Sequence, residues 1–159
     1  MLGSFKKAIF RALCLCCVLI GGGLMAEPNP EELFNRGEDI FNFALKGGGG
    51  TFRPDSLEAK EYYIQAKEYF EKACDLNNGG GCNGLGVLYK DGQGVEKNLT
   101  KAAYLYSKAC ELKEGDGYGA LGALYYNGDG VKQDFKKAAV LFKKACKLGY
   151  KKACEMIKE

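Results

Sequence analysis

Residues 79–114 and 115–150 align without a gap, and 17 of the 36 positions are identical. The identities include Leu85/Leu121, Gly86/Gly122, Leu88/Leu124, Tyr89/Tyr125, Ala109/Ala145 and Cys110/Cys146. A fixed period of this length restricts the chain to an array of stacked units. Each unit reads as two helices. Leu85, Leu88 and Tyr89 stand at i, i+3 and i+4, so they share one helical face. The glycine-bearing runs "DGQGV" and "NGDGV" then break the first helix. Asn98 and Asp134 suit the N-cap of a second helix. That helix carries Ala102, Leu105, Tyr106, Ala109 and Leu112 on a stripe of period 3.6. Gly115 and Gly149 are placed for helix C-termini, and Gly84, Gly86 and Gly122 for close approach of a neighbouring helix.

The pattern extends outward on both sides. "AKEYFEKACDL" repeats the second helix, with Cys74 at the Cys110 position. "YKKACEMIKE", residues 150–159, is a shortened first helix that caps the array, with Cys154 at the Cys82 position. Upstream, residues 30–45 show Leu33, Phe34, Gly37 and Phe41 on one side of a helix, followed by a loop over 46–56. Residues 30–77 thus read as a divergent helix pair that caps the other end. Such pairs cannot bury both faces alone and become stable by stacking. The expected fold is all-α, one solenoid domain over residues 27–159.

Residues 1–26 read as a secretory signal peptide. Lys6, Lys7 and Arg11 precede an uncharged apolar run that ends near Ala26. Gly21-x-Gly23 is a second cleavage option. The run is short of the roughly 20 residues that span a bilayer. None of Cys14, Cys16 and Cys17 sits in a lipobox pattern. All 20 acids follow this segment, whereas three of the 23 bases lie inside it, so the formal charge of +3 falls to zero on cleavage. That balance removes the electrostatic case for a nucleic-acid partner. The expected location is secreted or periplasmic, with no membrane contact after cleavage. Residues 27–75 are acidic and 131–159 lysine-rich, a polarity that reads as solvated helix faces or as a basic docking end.

Little conventional chemistry is offered. There is no histidine, so zinc would need thiolates, and the eight-residue cysteine spacing is too long for a zinc knuckle. No metal and no cofactor is expected. After the leader only Ser56 and Ser107 remain, and neither has a lysine three residues on. An unconventional nucleophile, a tyrosine, a lysine or Cys110, is the remaining route to covalent chemistry. Most tyrosines fall on packing stripes. Tyr63, Tyr104 and Tyr126 fall off the main stripe and are candidates for exposed contacts.

The stretch "LGVLYKDGQGVEKNLTKAAYLYSKAC" resembles the Sel1-like repeat, a relative of the tetratricopeptide repeat. The cysteine pattern "KAC-x7-C" resembles the secreted Helicobacter cysteine-rich protein family. The resemblance implies a right-handed α/α superhelix whose helices are joined by disulfides. It also implies penicillin binding or weak β-lactamase activity, for which no catalytic residue can be assigned. Cys74 and Cys82, and two periods later Cys146 and Cys154, are the expected disulfide pairs. The middle copy is broken, because Tyr118 stands where the partner of Cys110 should be. Cys110 is expected as a free thiol packed under Tyr118, or as the link of a disulfide dimer. Two functions follow. One is a module that binds a peptide, a protein or a cell-wall fragment. The other is a protein that binds or hydrolyses β-lactams.

Overall fold

The computed structural model describes residues 27–157. The leader expected over 1–26 lies outside the described residues. Seven helices follow one another: α1 (Pro30–Leu45), α2 (Leu57–Asp75), α3 (Gly79–Asp91), α4 (Leu99–Glu111), α5 (Gly115–Asn127), α6 (Phe135–Lys147) and α7 (Lys151–Met156). Each packs on the next. The first members of successive pairs also touch, α1 on α3 and α3 on α5. The described residues contain no strand.

Local chemistry sets the helix limits. Side chains of Asn29, Ser56, Asn78, Asn98 and Asp134 each accept a hydrogen bond from an amide in the first turn they precede. Gly92 and Gly128 end α3 and α5 with φ of 72° and 78°, a left-handed conformation that favours glycine. Between α1 and α2 lies a short helical turn, Gly47–Gly50, in which all four φ values are positive. Within the stretch read as a loop, glycine alone makes this left-handed turn cheap.

The ends of the second helices differ from expectation. Gly149 does take a left-handed φ of 93°, but its counterparts are Asn77 and Lys113, both at φ 61°. Gly115 instead opens α5, behind a Glu114 cap. The turn between α2 and α3 is correspondingly short, and Gly79 to Gly81 already belong to α3.

The core runs along the array. Tyr63, Phe70, Leu85, Leu88 and Leu105 are buried around the first two pairs, and Tyr106, Leu121, Leu124 and Leu141 continue the row. Burying each such side chain contributes roughly 1.5–3 kcal/mol before entropy is counted. Small residues set the spacing of the helices. A Cβ on Gly81 would lie 2.7 Å from Ala73 Cβ, and one on Gly117 would lie 2.6 Å from Ala109 Cβ.

That close approach places the cysteines. Cys74 follows Ala73, and Cys82 follows Gly81. Their Cα atoms are 4.6 Å apart and their sulfurs are joined, which ties α2 to α3. Cys146 and Cys154 tie α6 to α7 in the same way, with Cα atoms 4.7 Å apart. Cys110 is unpaired and 8% exposed, packed in a cluster with Tyr118. A bridge to a second chain would have to reach this buried sulfur.

Candidate functional site

The stripe Leu85, Leu88, Tyr89 turns toward the partner helix, which leaves Asn83 and Val87 on another face of α3. In α5 the aligned positions are Gly119 and Ala123. These faces line one groove along the first helices. Its larger compartment, about 560 Å³, lies among α3, α5 and α7, where Val87, Ala120, Ala123, Asn127, Tyr150 and Met156 form much of the wall. A smaller one, about 250 Å³, lies among α1, α3 and α5, against Phe34, Glu38, Phe41 and Asn42. Asn83, Val87 and Asp116 line both compartments.

The groove walls are apolar or small in the middle and carry both signs of charge at the rim. Lys90 and Lys152 stand with Asp91 and Asp116. Two buried polar atoms on the larger compartment have no protein partner, Asn83 Oδ1 and the Tyr106 hydroxyl. Burial, helped by Asp91 and Tyr150, pushes the Tyr106 phenol well above its ordinary value. It therefore stays protonated as a hydrogen-bond donor. Burial and then Asp116 raise the Tyr150 phenol as well, with Lys90 opposing.

Neither Ser56 nor Cys110 lines this groove. The Ser56 hydroxyl accepts from the Ala59 amide at 3.2 Å as a helix cap. Cys110 lies outside the groove. Burial pushes its thiol up to about 12, against the opposing pull of Lys144. Burial thus disfavours the thiolate that nucleophilic attack requires. Among the described residues no cluster of three or more histidine, cysteine or acidic side chains is placed to hold a metal ion.

The tyrosines selected as exposed contacts divide. Tyr104 is 68% exposed and Tyr126 51% exposed, and neither lines the groove. Tyr126 packs edge-on against Phe135, with ring centroids 5.2 Å apart. Tyr63 is 3% exposed, contrary to expectation. It lies on the buried stripe Ala59, Tyr63, Ala66, Phe70, Ala73, and its ring meets Phe41 at 5.7 Å. The groove residues Asn83, Val87 and Tyr150 were not singled out from the sequence. Their signal was positional, the face of the first helix left over when the core stripe is removed.

Helix pairs stacked one on the next define an all-α repeat solenoid. The Sel1 repeat model matches residues 42–78, 80–114 and 116–150, and the chain belongs to the Sel1 repeat family. The first match begins inside α1, so the front of that helix falls outside it. The chain is 46% identical over 99 residues to HcpC of Helicobacter pylori, covering 62% of this chain and 28% of that one. It is 42% identical over 99 residues to the Helicobacter pylori protein named "Beta-lactamase HcpA", covering 62% and 32%. The chain thus spans about a third or less of these relatives' own length. The solved structure of Helicobacter pylori cysteine rich protein B superposes with a TM-score of 0.57 at 32% identity, covering 85% of this chain and 99% of that one. A Sel1 repeat protein from Oxalobacter formigenes shares the fold at TM-score 0.64 and 23% identity, covering 84% and 49%. Proteins of this repeat family are typically interaction modules. The two disulfides and the cysteine-rich relatives fit an extracytoplasmic protein.

Proposed function

We propose that the protein is an exported binding module whose groove along α1, α3, α5 and α7 holds an extended peptide segment of a partner protein. Asn83 carries the reading. The residue lines both compartments and stands where they join. Val87 and Ala123 would take apolar side chains, and the mixed rim charges suit a peptide that carries both signs. Two disulfides hold the spacing of the helices, so little ordering is needed on binding.

The test is a random-peptide display selection on the oxidised protein. Selected peptides are expected to lose at least about tenfold in affinity, about 1.4 kcal/mol, on Asn83→Ala or Val87→Arg and to be indifferent to Tyr104→Ala. Peptides insensitive to both groove variants would overturn the reading.

The second reading, action on β-lactams, is supported by the name of HcpA and, in qualified form, by that of HcpC. It needs a nucleophile or a tight lactam pocket. Nitrocefin turnover, or a penicillin adduct in the intact mass, would support it over the binding module. Neither signal at millimolar substrate would remove it.

A further inference from the structure

The faces of α2, α4 and α6 that point away from the core differ from one another in charge. In α6 the buried residues are Ala138, Leu141, Phe142 and Ala145. The opposite side of that helix carries Lys136, Val140, Lys143 and Lys147, all exposed. Their spacing of four, three and four residues makes one straight stripe about 16 Å long. In α4 the aligned positions hold Thr100, Tyr104, Ser107 and Glu111. In α2 they hold Ile64, Glu68, Glu71 and Asp75. The stripe thus changes from three acids in α2, through one in α4, to three lysines in α6.

The repeat itself does not require this change. The position beside the stripe is lysine in all three copies, as Lys72, Lys108 and Lys144, so a charge that the repeat does fix stays fixed. Among the described residues no carboxylate forms an ion pair with Lys136, Lys143 or Lys147. In α2, Glu71 pairs with Lys67 at 2.8 Å, whereas Glu68 and Asp75 form no ion pair among the described residues. Each charged stripe also holds one uncovered branched apolar side chain, Ile64 at 40% and Val140 at 53% exposure. Two helix faces of opposite sign and equal spacing, each with one apolar side chain to cover, are complementary to each other.

We propose that these two faces bind each other between copies of the protein, the α6 stripe of one molecule lying against the α2 stripe of a second. Within one molecule they cannot meet, because α3, α4 and α5 stand between them in the array. The four-three-four spacing reads the same in both directions. Lys143 therefore meets Glu71 if the two helices run parallel and Glu68 if they run antiparallel, and Asp75 meets Lys147 or Lys136. A second copy fits better than an anionic surface, which would use the lysines alone and leave the matched acids unused. One helix laid on another is a small contact, so the association is weak, and its exposed charges make it sensitive to salt. None of the stripe residues lines the groove, which stays open in the assembly.

The experiment is sedimentation equilibrium of the oxidised protein over a concentration series, at low salt and at about 1 M salt, where the screening length is about 3 Å. At low salt the mass should exceed one chain and rise with concentration, and high salt should weaken the association about tenfold or more. Two triple variants test the partner, Lys136→Glu with Lys143→Glu and Lys147→Glu, and Glu68→Lys with Glu71→Lys and Asp75→Lys. Each carries like charges on both stripes and should stay a single chain. Mixed, the two should associate, because every α2–α6 contact between them again joins opposite signs. An equal reversal off the stripe, Lys46→Glu with Lys113→Glu and Lys132→Glu, should associate more tightly than either stripe variant. Equal loss there would show that net charge sets the behaviour, and would overturn the proposal. So would a single-chain mass at every concentration, or association that salt leaves unchanged. A parent that stays single and instead sediments with phosphatidylglycerol vesicles would overturn it too, and would assign the lysines to an anionic surface. Asn83→Ala should leave the association intact, which separates this contact from the groove.

Discussion

The ring of Tyr106 lies where a Cβ on Gly86 would stand, with 2.5 Å between the two positions. Tyr106 is 1% exposed and hemmed in by its cluster, so the ring cannot swing away. Gly122 stands in the same relation to Phe142, at 2.8 Å. Gly86 and Gly122, read as allowing close helix approach, therefore act by admitting an aromatic ring from the second helix of the same pair, and Gly84 admits Phe70 from the pair before.

Gly86→Ala should accordingly destabilise the protein despite its better helix propensity. Overpacking costs about 1–3 kcal/mol, and the propensity gain offsets up to about 1 kcal/mol. A net loss of about 1–2 kcal/mol is expected in urea unfolding. Tyr106→Leu in the same background should recover part of it, giving a favourable coupling in a double-mutant cycle. An alanine variant as stable as the parent would show that the ring can move.

The two disulfides close loops of equal length, so each should contribute about 2–3 kcal/mol on the chain-entropy model. Their positions make the consequences unequal. Cys74–Cys82 joins two long helices inside the array. Cys146–Cys154 holds α7, a helix of six residues packed mainly on α6. Replacing Cys74 and Cys82 by alanine should lower the melting temperature of the whole domain. Replacing Cys146 and Cys154 should chiefly abolish hydrogen-exchange protection in α7 and leave α2 to α5 protected. Equal loss of protection along the chain in the second variant would show that the array opens only as one unit.

Much of the fold was legible because the repeat signals are redundant. Caps such as Asn98, loop glycines such as Gly92 and the leucine stripe all mark the same boundaries. Tyr63 was misread because its neighbours on the stripe, Ala59, Ala66 and Ala73, are too small to stand out as core. Gly115 was misread because glycine is the usual left-handed residue, and here Lys113 takes that conformation instead. The groove was invisible for another reason. Asn83 and Val87 carry no motif, and only the stacking of three helices makes them neighbours of Tyr106 and Tyr150.

Alkaline pH should destabilise the protein, beginning with Cys110. Its thiol is raised from 9.0 to about 12 when folded, so above the unfolded value the unfolded chain releases a proton that the folded chain keeps. Stability contributed by this group is intact below pH 9 and declines between about pH 9 and 12, by up to about 1.4 kcal/mol per unit. Above pH 10 the raised phenols of Tyr63, Tyr106 and Tyr150 add to the slope. Cys110→Ala should flatten the fall between pH 9 and 10 while leaving the steeper part. Stability independent of pH up to 10 in the parent would mean that the thiol ionises freely. In the native protein Cys110 should also resist a thiol reagent that finds one free thiol per chain after denaturation.

Tyr118→Cys should restore the staple missing from the middle repeat. Gly117 meets Ala109 as Gly81 meets Ala73, so the backbones of α4 and α5 already approach as closely as those of α2 and α3. Cys110 lies next to that contact, as Cys74 does in the bridged copy. The variant should oxidise spontaneously, lose the free thiol and weigh two hydrogens less than its reduced form. A third bridge of this loop length is worth about 2–3 kcal/mol. Against it stands the loss of the Tyr118 ring, which packs against the cluster that holds Cys110 and whose centroid lies 5.6 Å from the Lys144 ammonium. An exposed contact of that kind is worth about 0.5–1 kcal/mol. The oxidised variant should therefore unfold at higher denaturant than the parent, and its reduced form at lower. Failure to form the bridge would show that the tyrosine holds the α4–α5 junction in a geometry of its own, although the small-residue contact beside it is shared.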